Sequence, residues 1–188
     1  MSVISLPNCP TNCVGTLGSI DFDDCAPEVH FGEIAKLYLW ALDEAPFATQ
    51  GEYDSAAHWA THLSDSAITA GAIREFTVIG EMPDPEVTEI PISGDRIVQG
   101  FKKFVLNLEV DETNETNYNF LLLSECGGKY KANFEMADGI LYGGMHGLEV
   151  SVKMSQPLPK TRQEVVKMIM KVSWQSKNHP FRQISIVA

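Results

Sequence analysis

No stretch of this chain reaches the roughly 18 consecutive apolar residues that a membrane-crossing helix needs, so no transmembrane span and no membrane partner are expected. The opening residues, MSVISLPNCPTNC, lack a basic leader followed by a long apolar run, so no secretory signal is expected either. Positive charge is scarce: 14 Lys and Arg stand against 25 Asp and Glu, for a net charge of −11. A general DNA- or RNA-binding surface would be basic, and this balance argues against one. Motifs that carry chemistry are scarce as well. There is no G-x-S-x-G, no P-loop and no dinucleotide fingerprint, and neither GEMPDPE nor SGDRIVQG has a spacing that cradles phosphate. No catalytic residue and no cofactor are therefore expected.

What is present suits one globular domain. At 188 residues the chain buries a substantial core without help from disulfides or metal. Its 44% hydrophobic and 21% charged residues exclude a disordered composition. The charge is unevenly spread. Residues 1–95 carry 16 acidic side chains against Lys36 and Arg74, giving −14, whereas residues 96–188 carry 9 acidic and 12 basic ones, giving +3. A chain polarised in this way suits head-to-tail contacts between identical subunits; the competing reading is that both halves intermix and the asymmetry cancels in space.

Along the chain, residues 1–30 are punctuated by Pro7, Pro10, Gly15, Gly18 and Pro27 and read as an extended N-terminal arm. Residues 31–188 read as a single β-rich domain. FGEIAKLYLWALD fits helical spacing at Ile34, Leu37, Tyr38, Ala41 and Leu42, and equally a strand with two apolar faces, Ile34, Tyr38 and Trp40 against Glu33, Ala35 and Leu37; the aromatic residues and Gly32 favour the strand. DSAAHWATHLSDS predicts a helix, capped at Asp54 or Ser55, with Trp59 and Leu63 on one face. From Ile73 onward the pattern is β. IREFTVIG is a strand, and the Pro-punctuated MPDPEVTEIPIS is an edge strand or loop. RIVQGFKKFVLNLEV sets Phe104, Leu106 and Leu108 on one face. ETNYNFLLLSE fits a strand or a short helix. KYKANFEMA alternates Tyr130, Ala132 and Phe134 with an opposite face of Lys129, Lys131, Asn133 and Glu135. DGILYGGMHGLEVSV supplies a hairpin turn at Asp138-Gly139, then a bulge or close backbone approach at Gly143-Gly144. His146 is its only acid–base candidate. Thr161 and Glu164 match a capping box before the alternating Met168, Met170, Val172 and Trp174, and FRQISIVA closes the chain as a strand. Trp40, Trp59 and Trp174 read as core. The sum is a mainly β fold: an antiparallel β-sandwich or barrel with one short helix and an extended N-terminal arm.

Three clusters could hold a metal, each with a blander reading. Cys9, Cys13, Cys25 and His30 form C-x3-C-x11-C-x4-H, a donor set suited to tetrahedral zinc; reduced thiols packed against the body are the alternative. His58 and His62 share a helix face but lack the Glu of H-E-x-x-H. Asp21, Asp23 and Asp24 begin like a calcium loop yet lack its central glycine and terminal Glu, so a solvated acidic face fits better. Asn114-Glu115-Thr116 matches a glycosylation sequon by pattern alone.

CAPEVHFGEIAKLYLW, the SGDR segment before a long strand, DGILYGG and the late VSW and FR together resemble virion structural proteins of tailed bacteriophages, tail-tube subunits in particular. The resemblance spans about residues 25–188 and lies in layout and β-pattern. It implies a small β-sandwich with one helix and a long loop, stacked in homo-oligomeric rings, with no catalytic residues. The implied partners are copies of the chain and other virion proteins, and the implied location is the virion, assembled in the host cytoplasm. An acidic lumen would let DNA pass without specific binding, because binding scales with neutralised phosphates. The cysteine-rich arm is not part of the tube pattern, which keeps a capsid decoration or head–tail connector protein as the alternative. The zinc-binding domain is a third. For a ring, Arg96, Lys102, Lys103, Arg162 and Arg182 are the candidate partners of Asp21, Asp23 and Asp24 on the next subunit. Pro-marked edges such as MPDPEVTEIP could be completed by a neighbour's sheet.

Overall fold

The computed structural model describes residues 32–63, 72–92, 96–159 and 165–187, with the backbone alone at 92 and 96–99. All belong to one unit of the chain, Phe31–Ala188. The strands are β1 (Ile34–Ala41), β2 (Arg74–Glu81), β3 (Glu86–Ile92), β4 (Arg96–Val110), β5 (Lys129–Met136), β6 (Ile140–Tyr142), β7 (Leu148–Ser155), β8 (Met168–Ser176) and β9 (Arg182–Ile184). The helices are α1 (Gln50–Tyr53), α2 (Ala56–His62) and α3 (Glu115–Glu125). Six strands close an antiparallel barrel in the order β1-β2-β4-β8-β7-β5, with β5 returning to β1. Three further strands grow from it: β3 on β4, and β6 followed by β9 on β5. The fold is therefore mainly β, and of the two architectures the sequence allowed, it is the barrel.

Period-two alternation builds the interior. On β4 the inward residues are Phe104, Leu106, Leu108 and Val110; on β8 they are Met168, Met170, Val172 and Trp174. Register turns these into layers. Leu106 lies opposite Val172, which lies opposite Val152 of β7, and Leu108, Met170 and Met154 form the next layer. Phe104 and Trp174, also opposite, stack with ring centroids 5.0 Å apart. Such cross-strand pairs stabilise a sheet by about 0.2–1 kcal/mol each beyond simple burial. Met168 and Met170, unbranched and adaptable, fill the space between the β-branched side chains.

β1 is buried on both faces, as its two apolar faces require. Leu37 and Leu39 join the barrel core, while Tyr38 and Trp40 join a second core with Phe47, Tyr53, Trp59, Ile73, Leu141 and Val187. Ile34 departs from the expected face. The register slips between Ile34 and Lys36, and this irregularity places Ile34 with Leu37 and Leu39 rather than with Tyr38 and Trp40. An extra residue in a strand reverses which face every residue beyond it presents.

The second core is roofed by α1 and α2. The indole of Trp59 packs edge-on to Tyr38 at 5.2 Å and against Phe47 at 4.8 Å, and its Nε1 donates to the Tyr53 carbonyl at 2.7 Å. All three tryptophans are core residues. Ser55 stands at the N-cap of α2, without a side-chain cap hydrogen bond. The single short helix of the expectation becomes three among the described residues. α1 is one turn held by a capping box, in which Thr49 Oγ1 accepts from the Glu52 N–H and Glu52 reaches back to the Thr49 N–H. That T-x-x-E signature is present in ATQGEY but precedes no apolar run, so it is easily passed over. ETNYNFLLLSE is helical because Asn114 caps it, its side chain accepting from the Asn117 N–H at 2.8 Å. Phe120 of α3 then packs on Phe76 at 5.0 Å and on Tyr130 at 5.5 Å, seating the helix at the barrel end where β4 stops and β5 starts. The Thr161–Glu164 capping box lies outside the described residues.

Candidate functional site

β4 is longer than the barrel. It pairs with β8 over Lys102–Val110 and with β2 over Asn107–Glu109, whereas Arg96–Lys103 pair with β3. β3 thus continues along the same edge of β4 that β2 occupies lower down. From Phe101 back to Arg96, β4 has passed the end of β8, and only β3 accompanies it. At about 3.4 Å per residue, this two-stranded ribbon projects roughly 20 Å. Every described residue of β3 from Glu86 to Pro91 is exposed. Exposure includes Val87, Ile90 at 50% and, on the facing strand, Phe101 at 54%. An isolated two-stranded ribbon is marginal in water, and apolar side chains left bare on it favour association.

A second unpaired edge belongs to β9. It pairs with β6 through Tyr142↔Arg182 and Ile140↔Ile184, and among the described residues nothing pairs with its outer side. Phe181, next to Arg182, and Ile184, two residues beyond it, are 54% and 77% exposed there.

The charged candidates fall into this frame unevenly. Lys102 and Lys103 stand at the base of the ribbon, opposite Val87 and Glu86. Lys103 Nζ lies 3.3 Å from Glu86 Oε2 within the same chain, an exposed pair worth at most about 1 kcal/mol. Arg96 sits at the ribbon tip, opposite Ile92. Arg182 lies on β9. Asp21, Asp23, Asp24 and Arg162 fall outside the described residues, as do Cys9, Cys13, Cys25 and His30. Among the described residues no group of three His, Cys, Asp or Glu could hold a metal ion, and no helix is long and apolar enough to cross a membrane. His58 is exposed and His62 packs its ring 5.8 Å from Phe47. His146 is exposed on the turn before β7.

The sequence pattern hid a buried polar layer. Asn133 and Glu135 lie on the face of β5 opposite Ala132 and Phe134, and both are buried, because α1, α2 and the 143–147 turn cover that face. Tyr38 Oη donates to Glu135 Oε2 at 2.7 Å, and Asn133 Nδ2 donates to Tyr53 Oη and to the Gly144 carbonyl, each at 3.1 Å. Burial, the hydrogen bond to Glu135 and the nearby Glu135 and Glu75 charges push the Tyr38 phenol far above its ordinary range. Burial does the same to Tyr53. Both phenols stay protonated at neutral pH, so neither provides a base; they tie the second core to the barrel. Tyr38→Phe is expected to cost about 1–3 kcal/mol, since it leaves a buried carboxyl group without its donor. Urea unfolding at neutral pH measures this, and an unchanged midpoint would contradict it.

At the opposite end of the barrel an apolar cleft of about 380 Å3 lies between β1 and α3, lined by Leu39, Trp40, Phe120, Leu123 and Tyr130 among others. Glu44, Arg74, Thr116 and Asn119 add polar groups to its rim. A scan against protein-family models and a search of curated proteins each found no match for this chain.

Proposed function

We propose that this protein is a non-enzymatic structural subunit of a tailed-phage particle, a tail-tube protein that stacks as homo-oligomeric rings around an acidic lumen for DNA passage. The observation that carries the reading is the ribbon Glu86–Phe101, which leaves the barrel with its apolar side chains uncovered among the described residues. A monomer would hold such a ribbon only weakly, and a neighbour's surface would complete it. The net charge of −11 and the exposed Glu81, Asp84, Glu86 and Glu89 near the ribbon suit a surface past which a phosphate backbone slides. The likeness to tail-tube subunits in CAPEVHFGEIAKLYLW and DGILYGG supplies the particle in question.

The test is assembly of the purified full chain at high concentration. Negative-stain electron microscopy should show rings or hollow tubes, and sedimentation velocity should show a concentration-dependent shift. Duplex DNA added at physiological salt should not co-sediment. A single monomeric species at every concentration, or tight DNA binding, would overturn the reading.

A further inference from the structure

The two outgrowths leave the barrel on opposed sides. In the closed order β1-β2-β4-β8-β7-β5, two strands separate β4 from β5 in either direction. β3 grows from β4, and the β6–β9 branch grows from β5. Among the described residues, an open sheet edge thus lies on each side of the barrel, the outer edge of β3 on one and that of β9 on the other.

These edges differ in charge and share apolar character. β3 presents Glu86 and Glu89 with Val87 and Ile90; β9 presents Arg182, with exposed Phe181 before it and Ile184 two residues after it. Neither Glu89 nor Arg182 has an ion-pair partner among the described residues. Two β3 edges brought together would oppose acids, and two β9 edges would oppose arginines, so each edge disfavours a copy of itself. Pro91 has no N–H to donate, which confines a docking strand to Glu86–Ile90. A three-residue β9 fits within that length.

We propose that the β3 edge of one copy pairs with the β9 edge of the next, with Glu89 and Arg182 as the matched charges and Val87, Ile90, Phe181 and Ile184 as the apolar contact. The inference rests on the self-assembly reading above and names the surfaces that carry it. A contact between two different edges on opposed sides is heterologous. It repeats head to tail and closes into a ring when the rotation between subunits divides the circle.

Two variants of the full chain test it. Arg182→Asp with Ile184→Asp spoils the β9 edge, and Val87→Asp with Ile90→Asp spoils the β3 edge. All four side chains are exposed, so circular dichroism and the urea midpoint should match the wild type. Each variant alone should associate roughly tenfold or more weakly than wild type by sedimentation velocity. Mixed in equal amounts, the two should form a dimer and stop, because one intact edge of each kind remains. If wild type assembles and either variant assembles equally well, the contact lies elsewhere, residues 1–30 included, and this inference fails while self-assembly stands. Variants that stay monomeric when mixed also overturn it. A wild type that never associates removes the self-assembly reading and this inference with it.

Discussion

Gly143→Ala is expected to destabilise the protein by about 3 kcal/mol or more, from backbone strain and overpacking together. Gly143 has φ +129°, a region that side-chain-bearing residues rarely adopt, and an added Cβ would run into the Asn133 amide and within 3.0 Å of the Ala132 carbonyl. Neither obstacle yields easily. Ala132 is strand backbone, and Asn133 is fully buried and pinned by its bonds to Tyr53 and Gly144. Gly139→Ala is the control. Its φ is +80°, but an added Cβ there meets nothing within 4 Å, so only the left-handed backbone term of about 1–2 kcal/mol should appear. Urea unfolding of both variants measures the difference. Equal losses would mean that backbone strain alone is at work and the close approach to Asn133 carries no weight.

Raising the pH above about 10 should unfold the protein steeply, because the unfolded chain ionises its tyrosines there while the native state does not. Tyr38 and Tyr53 are both fully buried, and their folded values lie well above the ordinary one. The native state thus holds two phenolic protons that the unfolded state releases. Stability is complete below the unfolded value and is lost as pH rises toward the folded ones. The slope should reach up to about 1.4 kcal/mol per pH unit for each phenol, or about 2.7 for the pair. With a total stability of about 5–15 kcal/mol, that loss dominates over a few units. Urea titrations between about pH 9 and 12, followed together with tyrosinate absorbance, should show a part of the absorbance rise that coincides with unfolding, beside that of exposed rings such as Tyr118. Tyr53→Phe should lower the slope by up to about 1.4 kcal/mol per pH unit. Stability that stays flat over this range would show that both rings ionise in place.

Much of the barrel is legible in the chain because alternation is a local property. KKFVLNLEV and MIMKVSW each declare one apolar face, and a strand that buries one face must read that way. The Asp138-Gly139 hairpin and the edge character of the Pro-marked β3 follow from turn chemistry and from the missing proline donor. The candidate assembly surface was half visible: the edge could be named from MPDPEVTEIP, and Lys102, Lys103 and Arg182 from the excess of basic residues in the second half. That β9 forms the other open edge could not be read. It depends on FRQISIVA pairing with ILY about forty residues earlier, which no local pattern encodes.

By itself, then, the sequence settled the apolar faces of β4 and β8, the Asp138-Gly139 turn, the acidic balance and the three buried tryptophans, since each follows from the preferences of neighbouring residues. Only the tertiary structure decided which strands meet. It made Asn133 and Glu135 interior residues, because the solvated face of an isolated strand becomes a buried one when another part of the chain lies over it. It also set the β3 and β9 edges on opposed sides of a closed barrel, because barrel closure depends on long-range pairing, and pairing partners are chosen by the whole set of registers at once.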